Sequence, residues 1–157
     1  MDNIKVGFTI GKFAPFHRGH EFLINQALKD MDDFFVVVYD TPNLNLKMED
    51  KIKAIKRRFP DIKILKAYDS PKKYGLDKDS VKIQMDYLLK VLDDNKNKEG
   101  FSNINKINYF YSSELYGKKV ADFMNIKNVD VDIERKIIPI SATKIRNNYE
   151  EYKKFIV

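Results

Sequence analysis

Short apolar runs alternate with segments of helical period along the whole chain, and this alternation restricts the fold more than any single residue does. Residues 4–10 are β-rich and end at Gly11. From His20, the apolar side chains Leu23, Ile24, Ala27, Leu28 and Met31 recur at helical spacing, predicting a first helix that ends near Asp30. Residues 33–39, Asp-Phe-Phe-Val-Val-Val-Tyr, are almost continuously apolar, as suits a central parallel strand covered on both faces. The pattern then repeats. A helix is predicted over 48–59 before Pro60, a strand over 62–67, a long helix with Asp79 or Ser80 as cap, a strand over 106–111 and a helix over 115–124. An alternating edge strand follows at 129–133, then a short helix from Ser141 and a last one over 149–156. Strands and helices in this order predict an α/β fold, a single Rossmann-like, doubly wound domain over 1–157 with a mainly parallel five-stranded sheet. In such sheets ligands bind beyond the carboxyl ends of the strands, where the winding reverses.

A chain of 157 residues with 43% hydrophobic content suits one core of useful size. It has no Cys, so disulfides and thiolate metal sites are excluded and a reducing, cytoplasmic setting is the default expectation. The first residues show no export signal, and the longest apolar run is far below the ~20 residues of a spanning helix, so the protein is expected to be soluble and free of membrane. The net charge of +6 suggests an anionic partner. No basic stripe is interleaved with aromatics, which favours small phosphorylated ligands over nucleic acid. Homo-oligomer formation stays open.

Both histidines lie in one stretch, Gly11-Lys-Phe-Ala-Pro-Phe-His17-Arg-Gly-His20, between the first strand and the first helix. A helix that begins there has unpaired N–H groups and partial positive charge at its start, which attracts phosphates. Gly11 and Gly19 allow close approach, Pro15 stiffens the turn, and Lys12 and Arg18 add charge. The segment is not a Walker loop, because G-x-x-x-x-G-K-[ST] is absent. Neutral or partly protonated imidazoles suit displacement at phosphorus, in which a protein positions reactants and stabilises charge on oxygen. As a metal site, two His at i and i+3 would need a third ligand that the segment does not supply, so no protein metal centre is expected.

A second anion-binding stretch is Ile140-Ser-Ala-Thr-Lys-Ile-Arg146. Ser141 or Thr143 can cap the short helix, and their hydroxyls with Lys144 and Arg146 present donors at its start. Taken alone such a segment is ordinarily a cap. It gains force only where the fold brings it to the histidines.

The two segments together resemble the hallmarks of the HxGH nucleotidyltransferase superfamily, whose second motif is I-S-x-T-x-x-R. Within it, the likeness is nearest to the nicotinamide mononucleotide adenylyltransferase domains of bacterial bifunctional NAD biosynthesis regulators. Supporting details are G-K-F-x-P-x-H, Ser112-Ser-Glu114, Val131-Asp-Ile-Glu-Arg135 and the tail Tyr152-Lys-Lys-Phe-Ile156. The accompanying kinase domain of such regulators has no counterpart in these residues.

The resemblance implies adenylyl transfer, in which a mononucleotide phosphate attacks the α-phosphorus of ATP and pyrophosphate leaves with Mg²⁺ carried by the phosphates. It implies that His20 stabilises charge at the α-phosphate, that His17 holds the outer phosphates, and that Thr143 and Arg146, with Ser141 behind them, grip the triphosphate. His17, His20 and Arg146 are thus the expected catalytic residues. Gly11, Lys12, Phe13, Ser141 and Thr143 join them in binding, and Lys47 is added from its charge and its place after the second strand.

The acceptor is less constrained. Related nicotinamide enzymes commonly stack the pyridine on Trp, which this chain lacks, and Asp50-Lys-Ile-Lys-Ala54 stands where Asp-Arg-Leu-Arg-Trp is usual. Tyr68, Tyr74 or Tyr111 are the candidate substitutes. Alternatives are a cytidylyltransferase or adenylyltransferase for a polyol phosphate, phosphopantetheine or flavin mononucleotide, a nucleotide sensor without catalysis, and nucleic-acid binding through the basic surface.

Overall fold

The computed structural model describes residues 3–157; Met1 and Asp2, which entered the search for an export signal, lie outside them. The elements run β1 (Val6–Gly11), α1 (Arg18–Asp30), β2 (Asp33–Tyr39), α2 (Met48–Arg58), β3 (Lys63–Ala67), α3 (Lys78–Asp94), β4 (Tyr109–Ser112), α4 (Gly117–Met124), β5 (Lys127–Asp130), α5 (Ala142–Asn147) and α6 (Tyr149–Tyr152). The five strands form one sheet in the order β3-β2-β1-β4-β5. Every pairing is parallel, so the expected mainly parallel sheet is wholly so. The chain winds outward from β1 to β3, then returns to the other side of β1. The reversal therefore falls between β1 and β4, and the connections that leave their carboxyl ends flank a crevice.

β2 shows why the sheet forms. Its side chains alternate between two cores: Phe34, Val36 and Val38 pack with Leu23, Ile24 and Ile55 of α1 and α2, whereas Phe35, Val37 and Tyr39 pack with Met85 and Leu88 of α3. Val36, Val37 and Val38 are wholly buried. At roughly 1.5–3 kcal/mol for each large apolar side chain buried, this strand favours only a position with helices on both sides.

Several boundaries differ from the sequence expectation. α3 is capped by Asp77, whose carboxylate accepts from the Ser80 amide, and not by Asp79 or Ser80. β5 ends at Asp130, before the expected 133. Asp132 takes a left-handed φ of 49°, and its carboxylate accepts from the amides of Lys136, Ile137 and Ile138. Three backbone donors converging on one carboxylate turn the chain out of the strand. The loop so formed leads straight to α5. Among the described residues no helix is long and apolar enough to cross a membrane.

Candidate active site

The turn after β1 is built around the two imidazoles. His17 caps α1: its Nδ1 accepts from the amides of Gly19 at 3.0 Å and His20 at 3.3 Å. His20 completes the box, its Nδ1 accepting from the His17 amide at 3.1 Å. The rings stack with centroids 3.6 Å apart. A nitrogen that accepts an N–H bond carries no hydrogen, so both neutral rings are protonated at Nε2. That atom is the donor each retains for a ligand.

This corrects two expectations. The first amides of α1 are not a free anion cradle, because His17 occupies them; the donors offered to a ligand are imidazole Nε2–H groups. Nor is partial protonation to be expected. Burial, reinforced by the Arg135 guanidinium, pushes His17 down to about 3, and burial, then His17 and Arg135, holds His20 well below the usual histidine range. Cationic stacked rings would repel each other and forfeit the cap.

Two glycines of the turn are closely packed against its rings. A Cβ on Gly19 would lie 2.8 Å from His17 Cε1, and one on Gly11 would lie 3.0 Å from the Phe13 ring. Phe13, at a positive φ of 49°, is buried with its ring 4.5 Å from that of His20. Arg18 turns away and pairs with Glu21, which Arg58 of α2 also engages, so it is not a phosphate ligand of this turn.

The second motif arrives at the same place. Ser141 caps α5, accepting from the Lys144 amide. Arg146 reaches across the crevice to donate from Nη1 to the Ala14 carbonyl at 2.6 Å, with Nη2 3.4 Å from the Thr143 hydroxyl. Residues separated by most of the chain are thus joined by one guanidinium. The tail adds a further tie: Ile156 bridges His17 in antiparallel fashion, and the Val157 amide donates to the Phe16 carbonyl.

Between the motifs lies a cleft of about 540 Å³. One end is lined by Lys12, His17, His20, Ser141, Thr143 and Arg146, together with Gly11 and Phe13, which are all the expected site residues except Lys47. Lys47 stands exposed at the N-cap of α2, outside this lining. Proximity in sequence to β2 suggested it; the turn after the strand carries it away. The other end is mainly apolar, formed by Ile10, Tyr39, Met85, Leu88, Tyr116 and Val120, with Gln84 and Lys119. Tyr74 lines the cleft and carries the Lys12 ammonium over its ring at 4.6 Å. Tyr111 is a core residue packed on Phe34, and Tyr68 is outside the lining, so neither is a stacking surface here.

Two cleft residues escaped assignment from sequence. Arg135 and Glu114 both line the cleft and pair at 2.6 Å. Arg135 also has a left-handed φ, 56°, in the loop organised by Asp132. Their only signal was membership of Ser112-Ser-Glu114 and Val131-Asp-Ile-Glu-Arg135, which fixed no role. Among the described residues Glu114 is the one carboxylate lining the cleft, and it is already paired. Among the described residues no group of three or more His, Asp or Glu is placed to hold a metal ion.

Residues 8–148 match the model of the Cytidylyltransferase-like family. Comparison with curated proteins finds no match. Among solved structures, a NadR protein in complex with NAD and AMP-PNP is similar over 98% of this chain and 44% of its own, with 22% identity and a TM-score of 0.64. A bifunctional NMN adenylyltransferase/ADP ribose pyrophosphatase from Francisella tularensis, complexed with AMP and an Mn ion, is similar over 95% of this chain and 42% of its own, with 19% identity and a TM-score of 0.65. The chain spans less than half the length of these two structures, and at such identities the likeness is one of fold. The motifs, the parallel sheet and the family match agree: the chain belongs to the cytidylyltransferase-like family of nucleotidyltransferase-like proteins.

Proposed function

We propose that the protein transfers AMP from ATP to nicotinamide mononucleotide, forming NAD and pyrophosphate. The observation that carries this reading is the Arg146 to Ala14 bond, which closes the second motif onto the histidine turn and leaves one polar cleft end between them. An oxygen of the acceptor phosphate attacks the α-phosphorus of ATP. The new P–O bond forms as the bond to the bridging α–β oxygen breaks, and pyrophosphate leaves with that electron pair. No protein nucleophile is needed, so positioned donors carry the catalysis. His20 donates from Nε2 to the α-phosphate and His17 to the outer phosphates. Thr143 and Arg146 hold the triphosphate from the opposite wall, Ser141 fixes the start of α5, and Lys12 adds a further contact. Magnesium comes as the ATP complex and offsets phosphate charge.

The apolar cleft end supports a ring-bearing acceptor over a polyol phosphate, because a flat base gains from burial against Tyr39, Met85 and Tyr116. NAD, AMP-PNP and AMP in the similar structures are consistent with nucleotide substrates of this class. The protein is incubated with ATP or CTP and a panel of phosphorylated acceptors, and pyrophosphate and dinucleotide are measured. NAD formation from ATP and nicotinamide mononucleotide is expected. Consumption of CTP alone, or turnover only with another acceptor, overturns the assignment.

A further inference from the structure

We propose that Arg135 is a phosphate-contacting residue of this cleft, supplying the positive charge that the two imidazoles beside it lack, and that Glu114 is the positioning residue that aims it. The inference rests on the nucleotidyl-transfer reading for its chemistry but is testable by binding alone. Displacement at the α-phosphorus gathers negative charge on nonbridging and leaving oxygens. Two neutral N–H donors orient these oxygens without neutralising them. A side-chain cation on the histidine wall would neutralise them there, facing Arg146 on the opposite wall.

Four cationic side chains line the cleft, and their present engagements separate them. Lys12 lies over Tyr74, and Lys119 is at the apolar end on α4. Arg146 spends Nη1 on Ala14 and Nη2 on Thr143. Arg135 gives Nη2 to Glu114, while no acceptor among the described residues engages Nη1. Nη1 lies 3.6 Å from where a Cβ on Gly19 would stand, which puts it over the first turn of α1 beside both rings. A fork gripped along one edge and open along the other is the geometry for taking a phosphate.

A pair serving only to pin the loop explains less. Three amide bonds to Asp132 already fix that loop, and two non-glycine residues in it hold left-handed φ values. Strain of this kind is retained where geometry must be exact for a ligand. The Glu114 amide donates to the Ser112 hydroxyl at 2.9 Å, which ties down the backbone that carries the carboxylate. In an anion site a carboxylate is a liability unless it orients a cation.

Calorimetric affinities for ATP, inorganic pyrophosphate and adenosine are compared in wild type, Arg135→Gln, Arg135→Lys and Glu114→Gln, with kcat and thermal unfolding measured on each. Arg135→Gln is expected to weaken ATP and pyrophosphate at least tenfold and leave adenosine unchanged, and Arg135→Lys to recover part of the loss. Glu114→Gln is expected to lower kcat about tenfold while pyrophosphate affinity holds or rises, a split that simple loosening of the fold would not give. Wild-type affinity for ATP and pyrophosphate in Arg135→Gln overturns the proposal. If that variant does not fold, wild-type pyrophosphate affinity and kcat in Arg135→Lys do so instead. Loss of pyrophosphate binding in a protein that makes no dinucleotide would defeat the proposed reaction and leave the role of Arg135 standing.

Discussion

His17 has two duties that one substitution can separate. Its Nδ1 caps α1, and the ring lines the cleft with Nε2–H left as its donor. His17→Asn keeps a side-chain acceptor for the cap and removes the distal donor, whereas His17→Ala removes both. The alanine variant is expected to unfold with about 1 kcal/mol less stability than the asparagine variant, with adenylyl transfer strongly reduced in each. Denaturant titration and steady-state kinetics check the two arms. His20→Ala is expected to lower kcat by at least ~10² with a modest change in ATP binding, the range for one preorganised donor. The depressed imidazoles also set a pH dependence. Unfolded His17 takes up a proton near 6.5 and the folded form near 3, so the unfolded state binds more protons in that window. Stability is expected to fall as pH drops from about 6.5 toward 3, and the acid limb of kcat/KM should lack a histidine step near 6.5. Thermal scans and pH-rate profiles read these separately. The residue types at this turn were legible from sequence; their tautomer was not, because it depends on which amides fold back onto each ring.

Among the elements, β1 and β2 and the helices they alternate with were legible because burial on both faces leaves an apolar run and burial on one leaves a helical stripe. The ends were less so. β5 continued on paper to 133 since Val129, Val131 and Ile133 alternate, yet the Asp132 carboxylate draws three later amides and bends the chain away. Lys51 shows another limit. Nothing in the sequence of α2 separates it from the other lysines there, but it is 1% exposed, donating to the Tyr39 carbonyl at 2.6 Å and the Thr41 hydroxyl at 3.1 Å. Burial, opposed by Asp40 and aided by Lys12, lowers it to about 8. Because the unfolded side chain keeps its proton to about 10.4, the unfolded state binds more protons between the two values, and stability is expected to rise with pH across that window. Lys51→Met should abolish the rise in thermal unfolding measured from pH 8 to 10. Its buried partners would lose their donor, so activity is expected to fall with it.

At the level of the whole molecule, the sheet order carries the site, because the reversal between β1 and β4 opens the crevice into which both motifs project. Fold class was readable from the alternation of elements, and the meeting of the motifs was inferred from their resemblance to known hallmarks; the bond that joins them, Arg146 to Ala14, had no sequence signal. Arg146→Ala combined with His17→Asn is expected to deviate from additivity in ATP affinity, since the first change frees the turn that positions the second residue; a double-mutant cycle measures this. The cap geometry also has a chemical outcome for the protein as a reagent. Each imidazole has turned its basic nitrogen to the backbone and retains only a hydrogen on the other, and the sequence contains no thiol. Imidazole-directed reagents and imidazole-seeking metal ions consequently find no free basic ring nitrogen to attack while the first turn of α1 stays wound, so diethyl pyrocarbonate modification of the two histidines should track opening of that turn.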